Sequence, residues 1–201
     1  MDSETSDRPK LTAKGVRTRA RIVEAAAALI HERGVAGTTL EDVKKAAEVS
    51  GSQMYHYFPD KNELVQAVID HQAETIVHHQ GLVLRSSNGV EAWRNLVITA
   101  AKHTNAIGGC PLGSLGAQLA ESDPEARALI AAGFDQWAAI IADALSSLHA
   151  DGKLPSDVDP NDLAITLLAT LQGGLLLAQV QRSTLPFETS VNTLLALAMD
   201  R

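Results

Sequence analysis

The sequence predicts an all-α protein in which an N-terminal three-helix domain, residues 1–60, precedes a larger helical domain, residues 61–201. Apolar residues recur at intervals of three and four along most of the chain, which is the period of an α-helix that buries one face. Start signals for four helices follow one another within about the first 70 residues, and the sequence contains no alternation typical of a β-strand.

The first two helices are indicated by apolar periodicity and by helix caps. An apolar face at residues 22–30 predicts the first helix, and Gly34 stands where a C-terminal cap belongs. Thr38 and Glu41 have the spacing of a capping box, which predicts the start of a second helix. The first two helices are therefore separated by only a few residues.

Two further capping boxes follow. Ser50 and Gln53 predict the start of a third helix, whose Phe58 we expect to point into the core. Asp60 and Glu63 predict the start of a fourth helix that runs for several turns. The second and third helices are both short and are joined by a tight turn.

The remaining helices are longer, and two of them begin with a proline in the first turn, at Pro124 and Pro160. The helix that begins at Pro160 is apolar nearly all round, and such a helix must be buried. We expect it to lie against a second copy of the chain in a homodimer, where Gly173 and Gly174 permit close approach. The predicted helices of this part of the chain cover residues 90–100, 111–120, 124–149, 160–185 and 187–199.

Composition is typical of a soluble, cytoplasmic protein. Hydrophobic residues make up 45% and charged residues 20% of the 201 residues, which is ordinary for a globular chain. We expect no apolar run long enough to span a bilayer, and the N-terminus lacks the apolar segment of a signal peptide. A single cysteine cannot form an internal disulfide. These observations predict a cytoplasmic protein without a membrane partner.

The net charge of −7 is unevenly distributed. From Arg8 to Lys61 the chain carries ten Lys and Arg residues against six Asp and Glu, whereas residues 62–201 carry seven against fifteen. A basic segment joined to an acidic body is typical of a protein that meets a polyanion at one end. The basic residues expected to attract phosphate groups there are Arg8, Lys10, Lys14, Arg17, Arg19 and Arg21.

Residues 38–61 have the layout of a helix-turn-helix, in which the second helix lies in the major groove of DNA. Small residues at the start of that helix let its backbone approach the DNA, and the hydroxyls of Tyr55 and Tyr57 can donate to phosphate oxygens. Lys61 is the first residue of the predicted fourth helix, where its positive charge interacts unfavourably with the helix dipole. A DNA phosphate bound at the same helix start would make a lysine there favourable. The Gln53 side chain can either complete the helix cap or hydrogen-bond to a base edge, and the sequence leaves both roles open.

The stretch TTLEDVKKAAEVSGSQMYHYFPDKNEL, residues 38–64, resembles the DNA-binding domain of the tetracycline-repressor (TetR) family of bacterial regulators. The resemblance implies a homodimer, most simply a repressor, that leaves its double-stranded DNA operator when a small, largely apolar effector binds the larger domain. Glu48 departs from the family pattern, which has glycine in the turn. Carried over by motif position, the implied DNA contacts are Thr39, Ser50, Gly51, Ser52, Gln53, Tyr55, His56, Tyr57 and Lys61.

The stretch GGCPLGSLGAQL, residues 108–119, resembles a segment of some members of this family and implies an effector cavity nearby. Cys110 precedes a helix N-terminus, which lowers the pKa of a thiol and would suit a sensor of electrophiles or oxidants. The alternative is a small, buried apolar cysteine. The residues implied to line the cavity, whose rings are equally suited to a core, are Trp93, His103, Cys110, Phe134, Trp137, Gln172 and Gln179.

Three other interpretations are less consistent with the sequence. An effector-independent, DNA-bound scaffold would recruit a protein partner through its acidic body. An enzyme would use Cys110 as nucleophile and His103 as base, but neither an orienting acid nor an oxyanion motif accompanies them. His71 and His78 lack the spacing of a helical metal-binding pair, so we expect neither a metal nor a cofactor.

Overall fold

A computed structural model describes residues 11–199, and every regular element within that range is an α-helix. The all-α prediction is therefore confirmed. The helices of the described range are α1 (Ala13–Arg33), α2 (Leu40–Ala46), α3 (Gly51–Tyr57), α4 (Lys61–Leu84), α5 (Gly89–His103), α6 (Pro111–Leu119), α7 (Pro124–Ala150), α8 (Pro160–Gln181) and α9 (Leu185–Met199).

These helices belong to two compact units, of which the first ends at Val68 and the second begins at Ile69. We call their described parts the head, residues 11–68, and the body, residues 69–199. The division falls inside α4, eight residues after the start of the predicted second domain. Leu64, Val65 and Val68 are buried, so the first two turns of α4 supply core residues to the head.

The head begins with α1, which is capped at both ends. The hydroxyl of Thr12 accepts a hydrogen bond from the N–H of Gly15 at 3.2 Å. Gly34 ends the helix with φ 76°, and its N–H donates to the carbonyl of Ile30 at 2.8 Å. The predicted C-terminal cap is confirmed, and the predicted apolar face supplies the buried residues Ile22, Ala26 and Ile30.

The predicted cap of α2 is wrong by one residue. Thr39, rather than Thr38, accepts from the N–H of Asp42, and the Asp42 carboxylate accepts from the N–H of Thr39 at 3.0 Å. Thr38 is buried and its hydroxyl donates to the carbonyl of Gly34 at 2.9 Å. Glu41, which was expected in the box, instead pairs with Lys44 at 2.6 Å.

In the body, α8 packs against both α7 and α9. Gly174 lies on the buried side of α8, where a Cβ atom would come within 2.9 Å of the Ser190 hydroxyl and 3.0 Å of the Phe187 Cα atom. The close approach predicted at this glycine is therefore made to α9 of the same chain. Gly173 faces the other way, with no neighbouring atom within 4 Å of the place where its Cβ would be.

Two helices of the body, α7 and α8, are long and apolar enough to cross a bilayer by length and composition alone. They pass this test only as an average over 18 residues, since polar residues interrupt both helices, and this is weak evidence for a membrane span. The core helices of soluble proteins pass it as well, and α7 and α8 pack against each other. Their apolar composition is thus partly explained by helix packing inside the body.

Candidate nucleic-acid interface and effector cleft

The candidate reading helix, α3, is fixed at its start by a reciprocal cap. The hydroxyl of Ser50 accepts from the N–H of Gln53 at 3.2 Å, and Oε1 of Gln53 accepts from the N–H of Ser50 at 2.9 Å. The predicted capping box is confirmed. Because the cap uses only the amide oxygen of Gln53, its amide nitrogen is the end of the side chain that can reach a base edge.

The ring-bearing end of α3 divides between solvent and core. Tyr55 is 61% exposed, and His56 beside it is exposed as well. Tyr57 is half-buried against the start of α1, since a Cβ atom at Gly15 would lie 3.3 Å from its hydroxyl oxygen. Phe58 is fully buried, as the sequence predicts. The rings of this short stretch therefore occupy three different environments.

Two further predicted contacts stand at helix starts. Thr39 caps α2 and is exposed, while Lys61 is the first residue of α4 and is half-buried. The Asp60 carboxylate accepts from the N–H of Glu63 at 2.9 Å, which is the hydrogen bond expected at the start of α4. Free N–H groups at helix starts attract phosphate, so both positions suit a DNA backbone.

The turn between α2 and α3 contains a strained residue. Glu48 has φ 51°, in the left-handed region that favours glycine, and its side chain is exposed. The turn therefore keeps the geometry that glycine would permit, at a cost of about 1–2 kcal/mol for a residue with a Cβ atom.

Exposed basic residues also lie along α1, at Lys14, Arg17, Arg19 and Arg21. The guanidinium of Arg19 lies over the Phe58 ring at 5.1 Å from its centroid, which orients this side chain on the surface of the head. Arg8 and Lys10, which were predicted to attract phosphate as well, lie outside the described residues.

In the body, three of the residues predicted to bind an effector line one open cleft of about 460 Å³. They are Cys110, Gln172 and Gln179. The walls of this cleft, which we call the α6–α8 cleft, are formed by the end of the α5–α6 loop, α6 and one face of α8. Ser114 and Gln118 of α6 line it too, although they were not among the predicted residues.

Cys110 caps α6, with Pro111 in the first turn, as the sequence predicts. Its sulfur accepts from the N–H of Gly113 at 3.4 Å and from Nε2 of Gln172 at 3.5 Å. Burial nevertheless raises the pKa of the Cys110 thiol above its ordinary value and outweighs these hydrogen bonds. Of the two alternatives for Cys110, the structure therefore supports the buried, apolar cysteine, because the local effect of the helix start is smaller than the cost of desolvating a thiolate.

The other predicted effector residues lie elsewhere in the body. Trp93 and Trp137 are buried, and both indole N–H groups donate to the same oxygen, Oε1 of Gln80, at 2.6 and 2.8 Å. Phe134 stacks on Trp137, with 6.4 Å between the ring centroids and 9° between the planes. His103 is exposed at the end of α5. Sequence reasoning missed Gln80, whose only signal is that buried indoles need acceptors.

The α-helical fold and the capped, polar α3 define a helix-turn-helix transcriptional regulator. Residues 22–68 match the family of bacterial regulatory proteins of the tetR type, and residues 87–193 match the C-terminal domain of LmrA/YxaF-like transcriptional regulators. The chain belongs to the TetR family.

Similar proteins support this assignment along most of the chain. An uncharacterised HTH-type transcriptional regulator of Mycobacterium tuberculosis is 30% identical over 85% of this chain and 88% of its own length. The transcriptional repressor NemR of Escherichia coli is 26% identical over 87% of this chain and 90% of its own length. A crystal structure of a TetR regulator from Chloroflexus aurantiacus superposes with a TM-score of 0.77, at 27% identity, covering 91% of this chain and 94% of that one.

Proposed function

We propose that the protein is a ligand-responsive repressor that binds its operator as a homodimer and leaves it when a small effector binds the body. The observation that carries the DNA-binding part is α3. Its first turn and its ring-bearing end expose Ser52, Gln53, Tyr55 and His56, while its buried side holds Met54 in the core. A short helix with polar side chains exposed on one side and an apolar side chain buried on the other is suited to insertion in a major groove.

The predicted DNA contacts divide into two groups. Gln53 and His56 are the side chains suited to base edges, because they carry directional donors and acceptors on the exposed side of α3. Tyr55 and Lys61 are suited to phosphate oxygens. The others proposed to contact the DNA backbone or to allow its close approach are Thr39, Ser50, Gly51, Ser52 and Tyr57.

The homodimer is supported by two exposed stripes on the body, an apolar one on α8 and one of leucines and threonines on α9. Along α8 the exposed positions Ile165, Ala169, Gly173, Leu176 and Val180 repeat at intervals of three and four residues, so they form one continuous face. Val180 is 73% exposed. On α9, the helix beside it, the exposed residues Leu185, Thr189, Thr193 and Leu197 repeat every four residues. An apolar helix face beside a second, uncharged one is suited to an isologous interface.

The effector is proposed to enter the body, with Cys110, Gln172 and Gln179 of the α6–α8 cleft as its contacts. The cavity role proposed for Trp93, His103, Phe134 and Trp137 rests on the family resemblance. DNA is the partner of such a regulator, so we propose that the protein works in the cytoplasm.

DNA binding is tested by selecting fragments from a genomic library with the purified protein and measuring their affinity by fluorescence anisotropy. We expect a palindromic site and nanomolar binding, in the usual range of about 10⁻⁸–10⁻¹¹ M. His56→Ala should reduce discrimination among operator variants more than it reduces affinity for random DNA. Enrichment of no sequence would refute the proposal.

The homodimer is tested by light scattering. Ile165→Asp combined with Val180→Asp places charges in the α8 stripe, and we expect monomers. Leu82→Asp is the matched control, because Leu82 is 54% exposed on α4 and lies outside both stripes. Gly174 is unsuited to this test, since its contacts are internal. Dimers that persist in the double variant would exclude this seam.

A further inference from the structure

The ring of Tyr57 is seated in a notch on α1. Tyr57 is half-buried, and its hydroxyl oxygen lies 3.3 Å from the place where a Cβ atom of Gly15 would be. A side chain at this position would have to push the hydroxyl aside by a few tenths of an ångström. Glycine is unfavourable inside a helix, and Gly15 is buried in the first turn of α1. The seat that it provides for Tyr57 is a physical reason for a glycine there.

The same face of α1 also holds the next ring of the chain. Gly15 and Arg19 are four residues apart, so they lie one above the other on the helix. The guanidinium of Arg19 is 5.1 Å from the centroid of the Phe58 ring, which is fully buried. Two consecutive residues at the end of α3, Tyr57 and Phe58, are therefore fixed from one side by α1.

The Tyr57 ring is in turn in contact with a side chain proposed to read bases. The rings of His56 and Tyr57 meet edge to face, with 4.9 Å between their centroids and 71° between their planes. His56 is exposed, and within the described chain its ring has no hydrogen bond that fixes it. Exposed side chains change rotamer within nanoseconds. The Tyr57 ring is thus the contact that limits the orientations of the His56 ring.

We propose that Gly15 is a positioning residue for base recognition: its notch seats Tyr57, and the Tyr57 ring holds His56 in the orientation that reads a base edge. A hydrogen bond to a base edge is directional and weakens steeply when its angle is poor, so the reading group needs a defined position. Sequence discrimination therefore depends on a residue of α1, outside the reading helix. The inference rests on the proposed function, because that function gives His56 its base-reading role.

The test measures discrimination, which is the ratio of the affinity for the selected operator to the affinity for the same operator with one base pair changed. Both affinities are measured by fluorescence anisotropy on the full-length protein. The base pair is the one at which His56→Ala loses discrimination, by about five- to tenfold for one hydrogen bond. Tyr57→Leu removes the supporting ring and should lower discrimination there by a similar factor. Tyr57→Phe restores the ring and should rescue the discrimination that Tyr57→Leu loses.

The notch is tested by Gly15→Ala, which displaces the Tyr57 hydroxyl and should lower discrimination about two- to threefold. The same substitution made together with Tyr57→Phe should have no effect. Without the hydroxyl, the added Cβ atom meets only ordinary contacts of 3.4 Å to Leu11 and 3.5 Å to Thr12. Val16→Ile is the matched control, because it adds one carbon to the neighbouring residue of α1, which is 55% exposed.

Two further readouts separate positioning from a merely structural role. Partial unfolding, which thermal melting detects, lowers the affinity for all DNA together and leaves the ratio unchanged. Tyr57→Leu added to His56→Ala should cause no further loss of discrimination, since the side chain that Tyr57 positions is already absent. In NMR spectra of the free protein, the ring-proton signals of His56, identified by their absence in His56→Ala, should shift in Tyr57→Leu and in Gly15→Ala.

Four results would overturn the inference. They are a His56→Ala variant that loses discrimination at no base pair, unchanged discrimination in Tyr57→Leu, an equal loss from Gly15→Ala with and without Tyr57→Phe, and His56 ring signals that respond to neither substitution. Any of these results with a wild-type protein that selects a DNA sequence refutes the inference alone. A wild-type protein that selects no sequence refutes the proposed function itself.

Discussion

The strained turn between α2 and α3 makes a prediction about stability that does not depend on the ligand. Replacing Glu48 with glycine should stabilise the head, because Glu48 has φ 51° and glycine adopts this conformation without a steric penalty. The exposed Glu48 side chain has no hydrogen bond or ion pair within the described residues, so the substitution removes no favourable contact.

The expected size follows from two opposing effects. Relief of left-handed strain contributes about 1–2 kcal/mol. Glycine also gives the unfolded chain more freedom, which costs about 0.4–1 kcal/mol. Glu48→Gly should therefore raise the free energy of unfolding of the head by about 1 kcal/mol. Glu48→Ala retains the Cβ atom and the strain, so its effect should stay within about 0.5 kcal/mol of zero.

The natural fluorophores allow the head to be measured separately. Both tyrosines lie in the head and both tryptophans in the body. Urea unfolding followed by tyrosine signals should shift for Glu48→Gly, whereas the tryptophan signal should not. Gly152→Ala provides the inverse control, because Gly152 has φ 69° with open space around it. It should destabilise the body by about 1 kcal/mol.

The two Glu48 variants also separate strain from charge. Both remove an acid near the proposed DNA surface, so both should raise operator affinity by the same factor, and this gain should diminish at high salt. The reasoning about strain is refuted if the glycine variant is no more stable than the alanine variant. It is refuted as well if the stability gain appears in the tryptophan signal.

Three further predictions concern individual side chains. Tyr55→Phe should weaken operator binding by about 1 kcal/mol without a change in melting temperature. Phe58→Ala should instead destabilise the head by about 3–5 kcal/mol. If Tyr55→Phe melts early but binds DNA normally, the Tyr55 ring belongs to the core. Cys110 should react slowly with a disulfide reagent near neutral pH, because burial raises the pKa of its thiol; a rate equal to that of the urea-unfolded protein would contradict this. Gln80→Leu should destabilise the body by about 2–5 kcal/mol, since it leaves two buried indole N–H groups without an acceptor, and an unchanged tryptophan emission would argue against this pair of hydrogen bonds.

The sequence alone determined the helices, their order and most of their ends. A cap such as that of Ser50 and Gln53 joins residues three apart, so it can be recognised from a few consecutive residues. The same holds for Gly34, for Cys110 at the start of α6 and for the burial of Phe58, which follows from helical periodicity. The helix-turn-helix was predictable because it is a local arrangement.

The tertiary structure decided what depends on distant residues. Thr38 and Thr39 are equivalent as local caps, and burial of Thr38 against the end of α1 selects its neighbour. Gln80 is separated from Trp137 by 57 residues, and no local pattern predicts that they meet. The choice between the two alternatives for Cys110 was decided in the same way: a helix start acts on the thiol through adjacent N–H groups, whereas desolvation, which raises its pKa, depends on everything that is packed around it.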